Sequence, residues 1–442
     1  MQTLPLIRDA DMDSIIAWRG ATPVTRATFL GHVRGMAERL PDVGHVLNLC
    51  KDRYWFSVGL MASISRGILS IMPNAVAPDL IAGLREEFAG LVCLSDQPLP
   101  FSGLPWIPVA DSPGLGTNQE IPRIAASQHI LCMYTSGSTG KPRGHLKTFA
   151  GMWGCATGGA GHVRAAAGGD CNIVGTVPFQ HMYGIETTVF LPLQGGGSLT
   201  SRLPFFPADV AAALAEVPAP RLLATTPFHL RKLIESATAF PPVAAVLLAT
   251  APLSQELARQ AEARFKAPVM EIYGSTETGQ LATRQPARGI SWRLYDGIGI
   301  APEAGGFVAT GGHLEGPQLL NDLIEIEDAD RFRLLGRNSD IVNVAGKRNS
   351  LGNLNQILLD LPGVSDGVFC LPPAAADEEV TRLAAFVVAP TLNAQHIQAA
   401  LRQKLDPVFL PRPLIFLETL PRDANGKLTV AALADLMARH LT

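Results

Sequence analysis

The feature that most constrains this chain is a change of hydrophobic period, repeated along much of its length. Runs such as "HVLNLC" (45–50), "GILSIMP" (67–73), "GLVCLS" (90–95) and "NIVGTVP" (172–178) are short and rich in Val, Ile and Leu. "RLLATTP" (221–227), "AAVLLAT" (244–250) and "PVMEIYG" (268–274) continue the series. Longer Ala/Leu/Glu/Arg segments at helical spacing lie between them, for example Pro207 to Glu216 and Ser254 to Phe265. Continuous apolar runs of strand length need cover on both faces, and helices supply it, so the pattern predicts a layered α/β fold. Ser254 is placed to cap its helix, with Leu257 following. The run "WFSVGLMASISRGILSIM" is broken by Arg66 and serines, too short for a membrane span, and reads as a buried helix running into a strand.

At 442 residues the chain exceeds one ordinary core. Its pattern changes character near Arg337 to Asp340. Before that point "ATGGHLEGPQLLNDLIEIEDADRFRLLG" alternates like a β-meander. After it the chain reads helix, strand, strand, helix and strand, with "LAAFVVAP" (383–390) the clearest strand. The expectation is a large multi-layered α/β domain over 1–336 and a small α+β domain over 337–442.

Net charge is −3 and no basic stripe is present, which argues against nucleic acid or an anionic membrane as partner. The six cysteines are scattered without a C-x-x-C pair, as reduced thiols would be, and the opening "MQTLPLIRDADMDS" lacks a signal-peptide pattern. A cytoplasmic protein is expected.

The stretch "MYTSGSTGKPRGH" (133–145) resembles a phosphate loop without the spacing of a Walker loop. Thr135 stands where the first Walker glycine would be, and Pro142 after Lys141 opposes a helix starting there. Gly137 and Gly140 permit tight turns, Thr135, Ser136, Ser138 and Thr139 supply hydroxyls, and Lys141 and Arg143 supply charge. Such a loop can wrap nucleotide phosphates without a helix dipole.

"YTSGSTGKPRG" resembles the signature of the adenylate-forming superfamily, which includes acyl- and aryl-CoA ligases, peptide-synthetase adenylation domains and luciferases. "VPFQHMYG" (177–184), "EIYGSTETG" (271–279), "GRNSDIVNVAGKR" (336–348) and "LPRDANGK" (420–427) follow in that family's order. The resemblance implies ATP and Mg²⁺ as cofactors and a two-step reaction: a carboxylate and ATP give an acyl-adenylate, then a thiol displaces AMP. Glu277 would be the Mg²⁺ ligand, because a hard cation bridging phosphates favours a carboxylate. Thr276 would donate to the α-phosphate, Tyr273 would lie against the adenine, and Asp322 would bind the ribose. Leu320 and Asn321 replace the family's usual Thr-Gly before that aspartate. Arg337 would reach the ribose or phosphate, and Lys427 would be the catalytic lysine, bridging the attacking carboxylate and the α-phosphate.

The resemblance further implies that the small domain rotates between the two steps. The hinge position, often Asp or Lys, is Ser339 here, and Gly346 would line the thiol path. Asn353 and Asn355 stand where the family often has glutamates. Lys347 and Arg348 could meet an acidic carrier protein or the phosphates of coenzyme A, or simply be solvated. The acid pocket is expected from His181, Met182, Tyr183, Thr250 and Gly274, with Ile185 and Phe228 nearby, His181 gating the carboxylate. These residues suit an aryl or medium acyl acid, and no acidic anchor for an amino group stands out.

The short form is similar to the stand-alone ligases of aryl-polyene and xanthomonadin-type pigment clusters. That implies an aryl acid, such as a hydroxybenzoate or hydroxycinnamate, loaded onto an acyl carrier protein. Coenzyme A as acceptor, with fatty acids among the substrates, is the alternative. A non-catalytic nucleotide or acyl binder is a reading of another class.

Overall fold

The computed structural model describes residues 2–73, 76–99, 101, 103–109, 120–136, 142–337, 340–344, 347–372, 382–423, 426 and 428–441. Two sheets dominate it. The first has six strands, in the order Pro142–Thr148, His129–Ser136, Leu69–Met72, His45–Asn48, Val92–Ser95 and Trp106–Pro108. Its last five strands are parallel, and Pro142–Thr148 pairs antiparallel with His129–Ser136. The second sheet has eleven strands. Its centre is parallel, running through Val269–Ser275, Ala245–Leu248, Arg221–Thr225, Asn172–Gly175, Ser198–Thr200 and Ile15–Arg19. Antiparallel strands extend it at both edges, ending at Thr22–Thr25 on one side and at Asp322–Ile326 on the other. Every strand and helix expected from the apolar runs is present, within one to three residues at each end. Ser254 caps the helix Gln255–Phe265, its hydroxyl accepting from the Leu257 N–H at 3.0 Å.

The helix Arg53–Ser65 is buried on every side between the two sheets, which explains its continuous apolar sequence. Arg53 itself is fully buried. Its guanidinium donates to the carbonyls of Gly175 (2.8 Å), Thr200 (2.7 Å) and Arg202 (2.9 Å), joining the helix to the end of the eleven-stranded sheet.

Beyond Arg337 come a hairpin, Ile341–Val344 with Lys347–Ser350, and the helix Leu351–Leu359. A three-stranded sheet follows, ordered Asp366–Cys370, Ala384–Val388 and Leu414–Phe416. The helices Ala394–Arg402 and Val430–His440 pack against it through separate apolar clusters. The hairpin and the final helix are elements that the apolar runs alone did not announce. Among the described residues no helix is long and apolar enough to cross a membrane.

Candidate active site

In open sheets of parallel strands, ligands gather outside the carboxyl ends of the strands. Three expected site segments lie there. His181 follows the strand Asn172–Gly175, Thr250 follows Ala245–Leu248, and Gly274 to Glu277 end Val269–Ser275. Thr250 adopts φ +81°, a left-handed conformation that non-glycine residues rarely take and that is commonest where a site over-determines the backbone. At Gly274 the register breaks in a bulge, and a Cβ there would meet the Gly279 carbonyl at 2.1 Å, so only glycine allows this turn.

The residues expected around the nucleoside come together at one end of this turn. The Tyr273 hydroxyl donates to Asp322 Oδ2 at 2.8 Å. Its ring is held by Trp292 and Phe332, at centroid distances of 5.6 and 5.4 Å. Asp322 pairs in register with Arg337 across two antiparallel strands. Tyr273 and Asp322, 49 residues apart in sequence, therefore meet within the eleven-stranded sheet.

At the other end of the turn, Glu277 faces the six-stranded sheet. Its Oε1 lies 3.5 Å from His145 Nε2, and that nitrogen is 3.0 Å from Thr135 Oγ1. Lys147 Nζ donates to the Glu277 main-chain carbonyl at 2.7 Å. His145 and Lys147 are two apart on one strand and so share a face, while Leu146 between them points to solvent. Burial alone would raise the Glu277 carboxyl. Its own backbone N–H, the Ser275 hydroxyl and the His145 and Lys147 charges outweigh burial and hold it below the usual range. Burial also pushes the His145 imidazole down, against the pull of the Glu277 charge. A half-exposed carboxylate kept ionised fits a cation. Among the described residues no three His, Cys, Asp or Glu side chains converge on one point, so a metal held here would draw its other ligands from phosphates and water.

The phosphate loop connects paired strands whose register begins at Ser136 and Pro142. Strand, not helix, follows it, as Pro142 requires. Gly137, Ser138, Thr139, Gly140 and Lys141 lie outside the described residues, as do Ser339, Gly346 and Lys427. Thr276 sits half-buried between Ser275 and Glu277.

On the acid side, His181 precedes the short helix Met182–Ile185, and Met182 and Ile185 are buried. The Tyr183 hydroxyl donates to the carbonyls of Thr225 (3.1 Å) and Leu247 (2.8 Å), fixing this helix over the strand ends. Phe228, just past the carboxyl end of the strand Arg221–Thr225, lies against Gly426 and the Arg422 guanidinium of the C-terminal part. Lys347 forms an ion pair with Asp406 on the surface.

Several residues escaped sequence reasoning. A π-helix, Glu186–Gly195, continues from Met182–Ile185, with Pro192 inside it lacking the N–H of a regular turn. It buries Glu186, which accepts from the Cys155 thiol at 3.1 Å. Behind them the Gln280 side chain accepts from Tyr295 (2.8 Å). Burial pushes Glu186 up to about 7, against the Cys155 and Gln280 hydrogen bonds and the Lys147 charge. His313 Nε2 lies 3.0 Å from the Thr278 carbonyl, and since a carbonyl only accepts, that nitrogen carries the proton. The signal available was the spacing "H-L-K" after the loop, which puts two basic groups on one strand face.

The AMP-binding enzyme family profile matches residues 41–304, more than half of the chain. The chain therefore belongs to the AMP-binding enzyme family and is an adenylate-forming enzyme. It is 23% identical over 426 residues to an indoleacetate–CoA ligase of Aromatoleum aromaticum, covering 86% of this chain and 81% of that protein. It is 28% identical over 318 residues to a 4-coumarate–CoA ligase of Halorhodospira halophila, covering 69% of this chain and 76% of that one. Its fold is similar to that of ATP-bound MatB from Rhodopseudomonas palustris, with TM-score 0.81, 18% identity and 97% of both chains covered.

Proposed function

We propose that this protein is an ATP-dependent acid–thiol ligase that activates an aryl carboxylic acid and passes it to the pantetheine thiol of an acyl carrier protein. The observation that carries this reading is the double character of the Tyr273–Glu277 turn. One end joins Asp322 and the Arg337 register position, suited to a nucleoside. The other presents an ionised carboxylate beside Lys147 and His145, suited to metal-bound phosphates. A nucleotide laid along the turn would have its α-phosphate near Thr276. When bound to Glu277, Mg²⁺ would offset the charge of the phosphates.

A carboxylate oxygen then attacks the α-phosphorus, the bond to the β-phosphate oxygen breaks, and pyrophosphate leaves. In the second step the sulfur of a thiol attacks the acyl carbon, the thiol proton is lost and AMP leaves. Lys427 is the group for the first step, and the part from Arg337 onward is the unit that turns about Ser339 between steps. His181, Met182, Tyr183, Thr250 and Gly274 bound the acid. An aryl acid is supported by the relatives named for indoleacetate and 4-coumarate. Those same names favour coenzyme A as a second reading for the acceptor.

The test is acid-dependent exchange of labelled pyrophosphate into ATP over a panel of aryl and fatty acids, followed by product mass with carrier protein and with coenzyme A. Exchange with hydroxybenzoates or hydroxycinnamates is expected. No exchange with any acid would leave only a binder of nucleotide.

A further inference from the structure

The turn that carries Glu277 is held from behind by groups the family signature does not contain. Lys147 donates to the Glu277 carbonyl at 2.7 Å, and His313 donates to the next carbonyl, Thr278, at 3.0 Å. Ser275 and Thr278 close the turn on itself, the Ser275 N–H donating to Thr278 Oγ1 at 3.0 Å. Lys147 reaches the turn from the six-stranded sheet, whereas the turn ends a strand of the eleven-stranded one. Its ammonium is one link between the sheets at the metal-ligand position. Burial pushes the Lys147 ammonium below its ordinary value, with the charges of Glu186, Cys155, Glu277 and Glu315 opposing. Glu186 is itself close to the turn, since a Cβ on Gly279 would lie 2.9 Å from its Oε1. Glu315 is fixed by the Thr148 hydroxyl (2.6 Å) and N–H (3.1 Å), one residue beyond Lys147.

We propose that Lys147 is a positioning residue for the metal-bound nucleotide, gripping the Glu277 carbonyl from the six-stranded sheet. The inference rests on the ligase reading for Glu277 as metal ligand. Lys147 spends a hydrogen bond on main chain, so its effect reaches the phosphates through the placement of the Glu277 carboxylate. A lysine that bound phosphate directly would strengthen ATP binding with or without metal. A lysine that places the carboxylate strengthens only the metal-dependent part.

The experiment is calorimetric titration of the full chain with ATP, once in excess Mg²⁺ and once in EDTA. It compares the wild type with Lys147→Met and Lys147→Arg. Loss of one charged hydrogen bond predicts that Lys147→Met weakens Mg·ATP roughly tenfold or more. Metal-free ATP should stay within about twofold, because no phosphate contact is removed. Lys147→Arg keeps a donor and should recover most of the loss. Thermal melts verify that each variant folds, and Lys147→Gln replaces Lys147→Met if the latter does not. Equal weakening with and without metal, or no weakening, overturns the proposal. A wild type that binds Mg·ATP but supports exchange with no acid would instead sink the ligase reading while leaving this one standing.

Discussion

Tyr273 and Asp322 make the most direct residue-level link between sequence and site. Their 2.8 Å hydrogen bond fixes the carboxylate that would hold the ribose, while the tyrosine ring is held by Trp292 and Phe332. Tyr273→Phe keeps the ring packing and removes only the donor. It is expected to raise the KM for ATP several-fold, as loss of a hydrogen bond to a charged group predicts, with kcat little changed. Exchange rates at varied ATP measure this, and an unchanged KM would separate the pair from nucleotide binding. Glu186 offers a second residue-level outcome. Burial raises its folded pKa to about 7 from an ordinary 4.5, with Cys155, Lys147 and Gln280 opposing. Lys147 on its strand, Cys155 on its helix and the Tyr295 phenol are the titratable groups coupled to it. Between those two values the native state holds a proton that the unfolded chain has lost, so stability falls as pH rises through that window. Glu186→Gln should remove this slope and be relatively more stable than wild type at pH 8 than at pH 5, by on the order of 3 kcal/mol. Urea unfolding at the two pH values checks it. Equal differences at both would remove Glu186 as the source.

At the scale of elements, the fold was legible where one strand or helix sufficed to explain the apolar pattern. "AAVLLAT" reads as a buried strand because its neighbours in a parallel sheet cover it on both faces, and it is one. The helix Arg53–Ser65 hid its main polar contact. Arg53 looked like an ordinary helix start, but its carbonyl partners are supplied by segments 120 residues and more further along. Burial lowers its pKa to about 10, so it remains a cation at neutral pH. Arg53→Met would leave the Gly175, Thr200 and Arg202 carbonyls without that donor. A loss of about 3–5 kcal/mol is expected in urea unfolding, whereas a loss below about 1 kcal/mol would mean water replaces the guanidinium. The same limit explains the site. The motif around Glu277 stood out in one dimension, but the grip of Lys147 and His313 depends on which strands become neighbours, and that register is not written in either motif.

At the scale of the whole molecule, the C-terminal part meets the large one beside the turn that leads to Lys427. Asp366 holds Arg422 through two hydrogen bonds, at 2.7 and 2.6 Å, and Arg422 donates to the Gly426 carbonyl at 3.1 Å. Gly426 has φ +74° and is buried against Phe228, where a Cβ would come within 2.9 Å of that side chain. The sequence "LPRDANGK" thus contains its own support, an arginine that braces the glycine preceding the lysine. A braced turn of this kind can present a cation to one reaction and withdraw it for the next if the part carrying it moves as a unit. On that reading Lys427→Ala removes charge stabilisation from adenylation alone. Pyrophosphate exchange should fall at least ~100-fold, in line with loss of one preorganised charge from a transition state. Thioester formation from supplied acyl-adenylate should stay within a few-fold of wild type, because the lysine is then away from the reacting atoms. Measuring both half-reactions on the same variant decides the point: an equal loss in each would mean that Lys427 serves one fixed site and that no alternation separates the steps.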